Sequence, residues 1–138
     1  MILLDTDHLT VFEIPGSARR DRLIARMALT TEVIGTTIVN VEEQMRGWIA
    51  SIAKERQAAR QVRSYARLAQ LFRFVSGFEI SDFDLAAAAL FDSYSRIRIS
   101  SSDRKIAAIA VARNALLLTA NRRDFELVPG LRFANWLD

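Results

Sequence analysis

Short apolar blocks alternate along this chain with longer stretches whose apolar positions recur at helical spacing. Ile2–Leu4 reads as a buried strand stopping at Asp5, and Thr6–Ile14 as a helix closed by Pro15-Gly16. Ser17 is placed to cap a second helix over Ala18–Leu29, with Leu23, Ile24, Met27 and Ala28 on its apolar stripe. The β-branched run Val33–Val39 predicts a strand. Asn40 then caps a helix that carries Val41, Met45, Trp48 and Ile52 on one face.

The second half repeats the rhythm. Glu55–Phe74 predicts a long amphipathic helix with Val62, Tyr65, Leu68, Ala69 and Phe72 turned inward, ended by Gly77. Phe78–Ile80 is a brief strand, and Ser81 or Asp82 caps a helix over Leu85–Tyr94. After the extended Ile97–Ile99 and the run Ser100–Ser102, a helix is expected over Asp103–Arg113. Ala115–Thr119 is a buried strand leading into Asn121–Asp124, and Leu131–Phe133 a last strand after Pro129-Gly130. Strands alternating with helices predict an α/β fold: a central parallel sheet of four to five short strands with helices on both faces. No repeat, low-complexity tract or linker divides the chain, so one domain over residues 1–138 is expected.

Composition narrows the class. At 51% hydrophobic and 25% charged the chain is globular, and 138 residues suffice to bury about 70% of the unfolded surface. With no cysteine, disulfides and thiolate metal sites are excluded. No basic segment precedes a long apolar run, and no apolar run approaches the ~18–20 residues of a membrane span, so a soluble, cytoplasmic protein is expected. The net charge is +3, and arginines bunch at Arg19, Arg20, Arg22 and Arg26, at Arg56, Arg60, Arg63, Arg67 and Arg73, and at Arg122 and Arg123. Such surface suits a polyphosphate partner. It is equally an ordinary solvated helix face.

The acidic positions carry more chemistry. Ligands of an open parallel sheet sit beyond the carboxyl ends of its strands. Asp5 ends the first strand, Glu43 lies early in the helix leaving Val33–Val39, Asp103 starts a helix, and Asn121 and Asp124 follow Ala115–Thr119. Carboxylates gathered at one edge repel, and oxygen-only ligands favour Mg²⁺ or Mn²⁺ to offset that repulsion. Each residue also has a structural reading. Asp5 can cap a helix, Asp7, Glu42 and Glu43 can be first-turn acids, Asp103 can close a Ser100-x-x-Asp103 capping box, and Asp124 can cap a turn. His8 is the sole histidine, without a Cys or His partner, and reads as structural or surface rather than zinc-binding.

Four segments taken together resemble the PIN-domain ribonucleases, in particular the VapC-type toxins of bacterial toxin–antitoxin pairs. Ile2–Leu9 resembles the opening strand and first acid. Val41–Gly47 resembles the E-L-x-x-G segment, and counting back from Gly47 selects Glu43 over Glu42. Ser102–Ala108 is similar to the D-x-x-I-A-A helix start, and Thr119–Phe125 with Val128–Leu131 to the closing T-x-N-x-x-D-F…V-P-G-L block. The chain departs from the pattern at Asn121, where many members carry the fourth acid, leaving Asp124 to supply a carboxylate. It departs again at Ser100–Ser102, where a Gly often precedes the third acid.

The resemblance implies a Mg²⁺-dependent endoribonuclease (Mn²⁺ serving as an alternative), with Asp5 and Asp103 holding the ion and Glu43 and Asp124 or Asn121 holding its waters or a second ion. It also implies an RNA substrate, a cognate antitoxin and a homodimer pairing through helices, with Leu23 and Tyr65 as contact candidates. Arg46, Arg104, Arg122 and Arg123 are placed to hold flanking phosphates. Two alternatives stand beside it. A haloacid-dehalogenase-like phosphatase needs D-x-D-x-[TV], but Leu9 occupies the last position, and Asp82-x-Asp84 is the nearest later acid pair. A non-catalytic module on the same fold would not need Asp5, Glu43 and Asp103.

Overall fold

The computed structural model describes all residues, Met1–Asp138. Five parallel strands, β1 (Ile2–Leu4), β2 (Ile34–Thr37), β3 (Glu79–Ser81), β4 (Leu116–Leu118) and β5 (Arg132–Ala134), form one sheet in the order β3-β2-β1-β4-β5. Seven helices connect them: α1 (Thr6–Glu13), α2 (Ala18–Ala28), α3 (Ile38–Lys54), α4 (Ala58–Val75), α5 (Leu85–Ser93), α6 (Ser101–Ala112) and α7 (Arg122–Phe125).

The period-2 alternation of the strands explains the layering. Ile2 and Leu4 join Leu118 in a core closed by Leu9 of α1, Leu23 of α2 and Leu137. Leu3 and Leu117 point to the other face, against Ala87 of α5, the Ile106–Ala110 run of α6, and Phe125 of α7. Parallel strands need both faces covered, which is why these read as continuous apolar runs. Gly35 in β2 allows the neighbouring strand to approach, since a Cβ there would stand 2.3 Å from the Glu79 carbonyl oxygen.

Several expected boundaries move, for local reasons. Strand β2 stops at Thr37, and Ile38 and Val39 belong to α3. Thr37, not Asn40, is the cap: its Oγ1 accepts the Asn40 backbone N–H at 3.1 Å. Helix α5 is capped by Asp84 rather than Ser81 or Asp82, with the Asp84 carboxylate accepting the Ala87 N–H at 2.9 Å. Ser100 caps α6 by accepting the Asp103 N–H at 3.1 Å, so that helix starts at Ser101. On α4 the buried residues are Leu71 and Val75, whereas Val62, Tyr65 and Phe72, expected inside, are exposed. Leu23, a candidate dimer contact, is fully buried in the α2 core, so it cannot meet a second copy.

The order β3-β2-β1-β4-β5 reverses direction between β1 and β4. That is where the carboxyl ends of adjacent strands open a crevice.

Candidate active site at the β1–β4 crevice

Asp5 and Thr119 end β1 and β4 side by side, because the register pairs Leu4 with Leu118 and the Asp5 N–H bonds the Leu118 carbonyl at 2.9 Å. Asp5 is buried, and three donors hold its carboxylate. Oδ1 accepts the Thr6 N–H and the Asn40 Nδ2–H, each at 2.8 Å, and Oδ2 accepts the Thr119 Oγ1–H at 2.8 Å. Asn40 is held in turn by Thr37, whose hydroxyl donates to Asn40 Oδ1 at 2.7 Å. Thr37, Asn40, Asp5 and Thr119 are all buried, so this chain of hydrogen bonds is locked by packing.

The paired acids of the opening stretch diverge in environment. Burial raises the Asp5 pKa, with the Asp7 charge adding to it, and these outweigh the three donors. Burial pushes Asp7 upward as well, but the His8 ring and the Ala120 N–H, at 2.6 and 2.8 Å, bring it below the ordinary carboxylate range. His8 is fully buried and structural. Its Nε2 accepts the Trp136 backbone N–H at 3.1 Å, so the ring proton sits on Nδ1 and is donated to Asp7.

The other acids converge on Asp5. Burial raises the Glu43 pKa, followed by the charges of Asp5 and then Asp103. Burial likewise raises Asp103, and Asp5, Asp124 and Asp7 add to the effect against the opposing Ser100 hydroxyl. Glu43 comes from the early part of α3 and Asp103 from the first turn of α6, two helices packed on each other. Asn121 caps α7 in position though not by a side-chain bond, and its Nδ2 donates to Asp124 Oδ2 at 3.1 Å. The amide thus orients the Asp124 carboxylate.

Asp5, Glu43, Asp103 and Asp124 therefore share one electrostatic neighbourhood. Such an all-oxygen set, short of positive charge, suits a hard divalent cation. Nowhere do three acidic or histidine side chains already stand together as a finished cage. The donor set accordingly fits an ion that takes one or two carboxylates and keeps several waters, as Mg²⁺ ordinarily does.

The basic residues assigned to the mouth of the site fare unevenly. Arg46 pairs with Glu42 at 2.6 Å and, with Glu43, Gly47, Ala50 and Ser102, lines an open groove of ≈ 380 Å³ beside the acids. Arg104 turns away. Its guanidinium lies 5.2 Å from the Phe91 ring centre and donates to the Ser95 carbonyl at 3.4 Å, so it cannot serve a phosphate there. Arg122 pairs with Glu126 at 3.8 Å, and Arg123 is exposed. Asp82 and Asp84, the second acid pair a phosphatase would need, follow β3 at the far edge of the sheet, and Asp84 is committed to its cap. Sequence reasoning missed Asn40 and Thr119 as the holders of Asp5. The available signal was a hydroxyl residue ending each strand that flanks β1.

Comparison with known proteins bears on the family and the fold. The PIN-domain family profile matches residues 2–131. The tRNA(fMet)-specific endonuclease VapC of Salmonella typhimurium is 28% identical over 97% of this chain and 96% of its own length. Among solved structures, DNA-bound VapBC from Salmonella typhimurium superposes with a TM-score of 0.71 at 26% identity, covering 98% of this chain and 97% of that one. VapBC-1 from nontypeable Haemophilus influenzae gives 0.74 at 16% identity, with both chains covered in full, and supports the fold alone.

Proposed function

The chain belongs to the PIN-domain family, and from that premise we propose that it is a divalent-metal-dependent endoribonuclease of the VapC type, the toxin of a toxin–antitoxin pair. The observation that carries this reading is the convergence of Glu43 and Asp103 on Asp5 beside the β1–β4 crevice: the Asp5 charge raises the proton affinity of both, and Asp103 raises that of Glu43. Partly buried carboxylates that raise one another's proton affinity cluster at sites of ion binding or reaction.

Asp5 and Asp103 would hold the Mg²⁺ ion (Mn²⁺ substituting), with Glu43 and the Asn121-oriented Asp124 holding its water shell. When bound, the ion supplies polarisation of the scissile phosphate and a water of lowered pKa. The protein's own residues do the remaining work. Thr6, Asn40 and Thr119 fix the Asp5 carboxylate so that it need not reorganise during reaction. Glu43, with raised proton affinity, is suited to exchange a proton with the attacking water or the leaving oxygen. Arg46, at the groove wall, is positioned to meet a phosphate next to the cut.

The VapC relative named for tRNA(fMet) supports transfer RNA as the substrate class. The VapBC complex among the structural relatives supports a cognate antitoxin as the partner, and a homodimer pairing through its helices goes with that reading. The test is cleavage of cellular RNA with Mg²⁺, with EDTA, and with Asp5→Ala or Asp103→Ala. Cleavage is expected only in the unsubstituted, metal-supplied protein. Activity that survives both chelation and the substitutions would remove the proposal, and hydrolysis of a small phosphate ester dependent on Asp5 alone would favour a phosphatase.

A further inference from the structure

Beyond Met45, Trp48 and Leu68, which pack against Val41, Leu71 and Val75 at its base, the α3–α4 hairpin has no share in the core. No residue from Glu42 to Gln70 is buried, and α3 and α4 there pack chiefly on each other. The hairpin supplies its own bracing: Ser51 and Ser64 hydroxyls bond at 2.9 Å, and Gln61 Nε2 donates to the Ile52 and Glu55 carbonyls at 3.1 and 2.9 Å. At 1.5 Å per residue, α3 runs roughly 16 Å from Glu43 to Lys54, longer than the strands beneath it. The result is a stiff arm that starts at the acid cluster and projects away from it.

The charge of this arm is out of proportion to its length. Residues Gln44–Gln70 hold six cations, Arg46, Lys54, Arg56, Arg60, Arg63 and Arg67, against one acid, Glu55. That is a net +5 in a chain of net +3, so the rest of the molecule is at −2. Of the six, only Arg46 has a carboxylate partner. The arginines of α2 behave differently: Arg19 pairs with Asp138, while Arg20, Arg22 and Arg26 donate to the Phe12, Leu137 and Asn135 carbonyls. Arg60 and Arg63, one turn apart on α4, are exposed with no acid near them. Like charges collected on one hairpin destabilise it unless an anion neutralises them.

The groove lined by Glu43, Arg46, Gly47, Ala50 and Ser102 leads from the acids onto this arm along α3. Gly47 adds an independent sign. A Cβ there would meet nothing within 4 Å, so no packing contact requires a glycine mid-helix, where it costs about 0.5–1 kcal/mol. The bare backbone faces open groove.

Resting on the nuclease reading above, we propose that the distal α3–α4 hairpin is an RNA-docking arm: its arginines grip phosphates of a folded RNA well away from the bond being cut. A short oligonucleotide spanning only the cut cannot reach Arg60 and Arg63; a folded RNA can. The arm therefore selects for substrate size and shape without reading bases.

The test compares the unsubstituted protein with Arg60→Ala/Arg63→Ala, using bulk transfer RNA and a three-nucleotide RNA, too short to lie on both the cut and the arm, as probes. Binding is measured by fluorescence anisotropy in EDTA, where nothing is cut. Each phosphate contact contributes about 0.7–0.9 to the slope of log affinity against log salt. Loss of two should shrink the slope for transfer RNA by roughly 1.5, so the variant-to-unsubstituted Kd ratio falls about tenfold between 50 and 200 mM salt. Trinucleotide affinity should not change. An unaltered slope, or an equal loss for both probes, overturns the arm. So does a change of oligomeric state on size-exclusion, which would make the hairpin a protein interface. Because cleavage is assayed separately with Mg²⁺, a slope change without any cleavage would sustain the arm and count against the nuclease; cleavage with an unchanged slope would do the reverse.

Discussion

Replacing Thr119 with Val removes one hydroxyl and conserves shape, and it strikes the bond on which the charge of Asp5 most depends. Thr119 Oγ1–H donates to Asp5 Oδ2 at 2.8 Å, both residues are buried, and among the donors this bond does most to lower the Asp5 pKa. A hydrogen bond to a charged acceptor contributes about 1.5–3 kcal/mol. Its loss should push the already raised Asp5 pKa further upward. A carboxyl whose folded pKa lies above its unfolded value stabilises the fold most at low pH, below the unfolded range, and that advantage is lost as pH rises through the folded pKa. Thr119→Val should therefore destabilise the metal-free protein by about 1.5–3 kcal/mol at pH 8 and much less at pH 3. Urea unfolding in EDTA at both pH values measures this, and carbon NMR of the aspartate carboxyls follows the titration directly. The acid limb of RNA cleavage should shift the same way. Thr119→Ser keeps the donor and should restore all three readouts. An equal loss at both pH values, or a Ser variant no better than Val, would show that Thr119 acts through packing alone.

Three further outcomes follow from the same geometry. Asp103→Asn removes a charge that raises the Glu43 pKa; in EDTA at pH 8 it should raise the urea midpoint, with the gain vanishing near pH 3. Mg²⁺ at a hundredfold its Kd should stabilise the unsubstituted protein by about 2.7 kcal/mol but stabilise this variant less, and thermal melts with and without the ion would read the difference. Gly47→Ala should stabilise the fold by about 0.5–1 kcal/mol, since its Cβ meets nothing, while weakening RNA cleavage by narrowing the groove; concordant losses would place Gly47 in the folding machinery instead. Gly35→Ala should cost about 3 kcal/mol, the upper end for overpacking, because the Glu79 carbonyl at 2.3 Å is backbone and cannot yield; a melting temperature within a degree or two of the parent would refute the close approach.

The architecture was largely legible because burial on both faces leaves an unbroken apolar signal. Ile2–Leu4 and the Ile106–Ala110 run could hardly be read otherwise, and they form the centre of the structure. Long helices were harder where they leave the core. The α4 pattern places Val62, Tyr65, Leu68, Ala69 and Phe72 on an apolar stripe, but that stripe has nothing above it once the hairpin outruns the sheet, so three of the five are exposed. Periodicity reports a stripe, not what covers it. The candidate acids were chosen from their places at strand and helix ends. The neutral residues that fix them were not, because an Asn at position 40 looks like a cap until the strand is seen to end three residues earlier. Asn40 is a side chain that reaches across from α3 to β1, and nothing local in the sequence distinguishes that from a cap bond.

The distribution of charge poses a problem that the acids alone cannot solve. Asp5 and Asp7 at the crevice act electrostatically on Glu43 or Asp103, as Asp124 does on Asp103, and their combined field repels the polyanion the site is proposed to cut. A divalent ion offsets part of that repulsion at contact range, but screening confines its influence to about 8–10 Å at physiological salt. Encounter must therefore be governed by charges further out. The exposed arginines of the α3–α4 hairpin follow Glu43 along α3 and α4, and Arg46 shares a groove with Glu43. RNA approaching along that arm meets attraction first and the acidic crevice last, when the scissile phosphate is already beside the groove. On this account the arm and the acids are coupled: neutralising the arm should slow capture, whereas neutralising Asp103 should leave capture intact and abolish the cut.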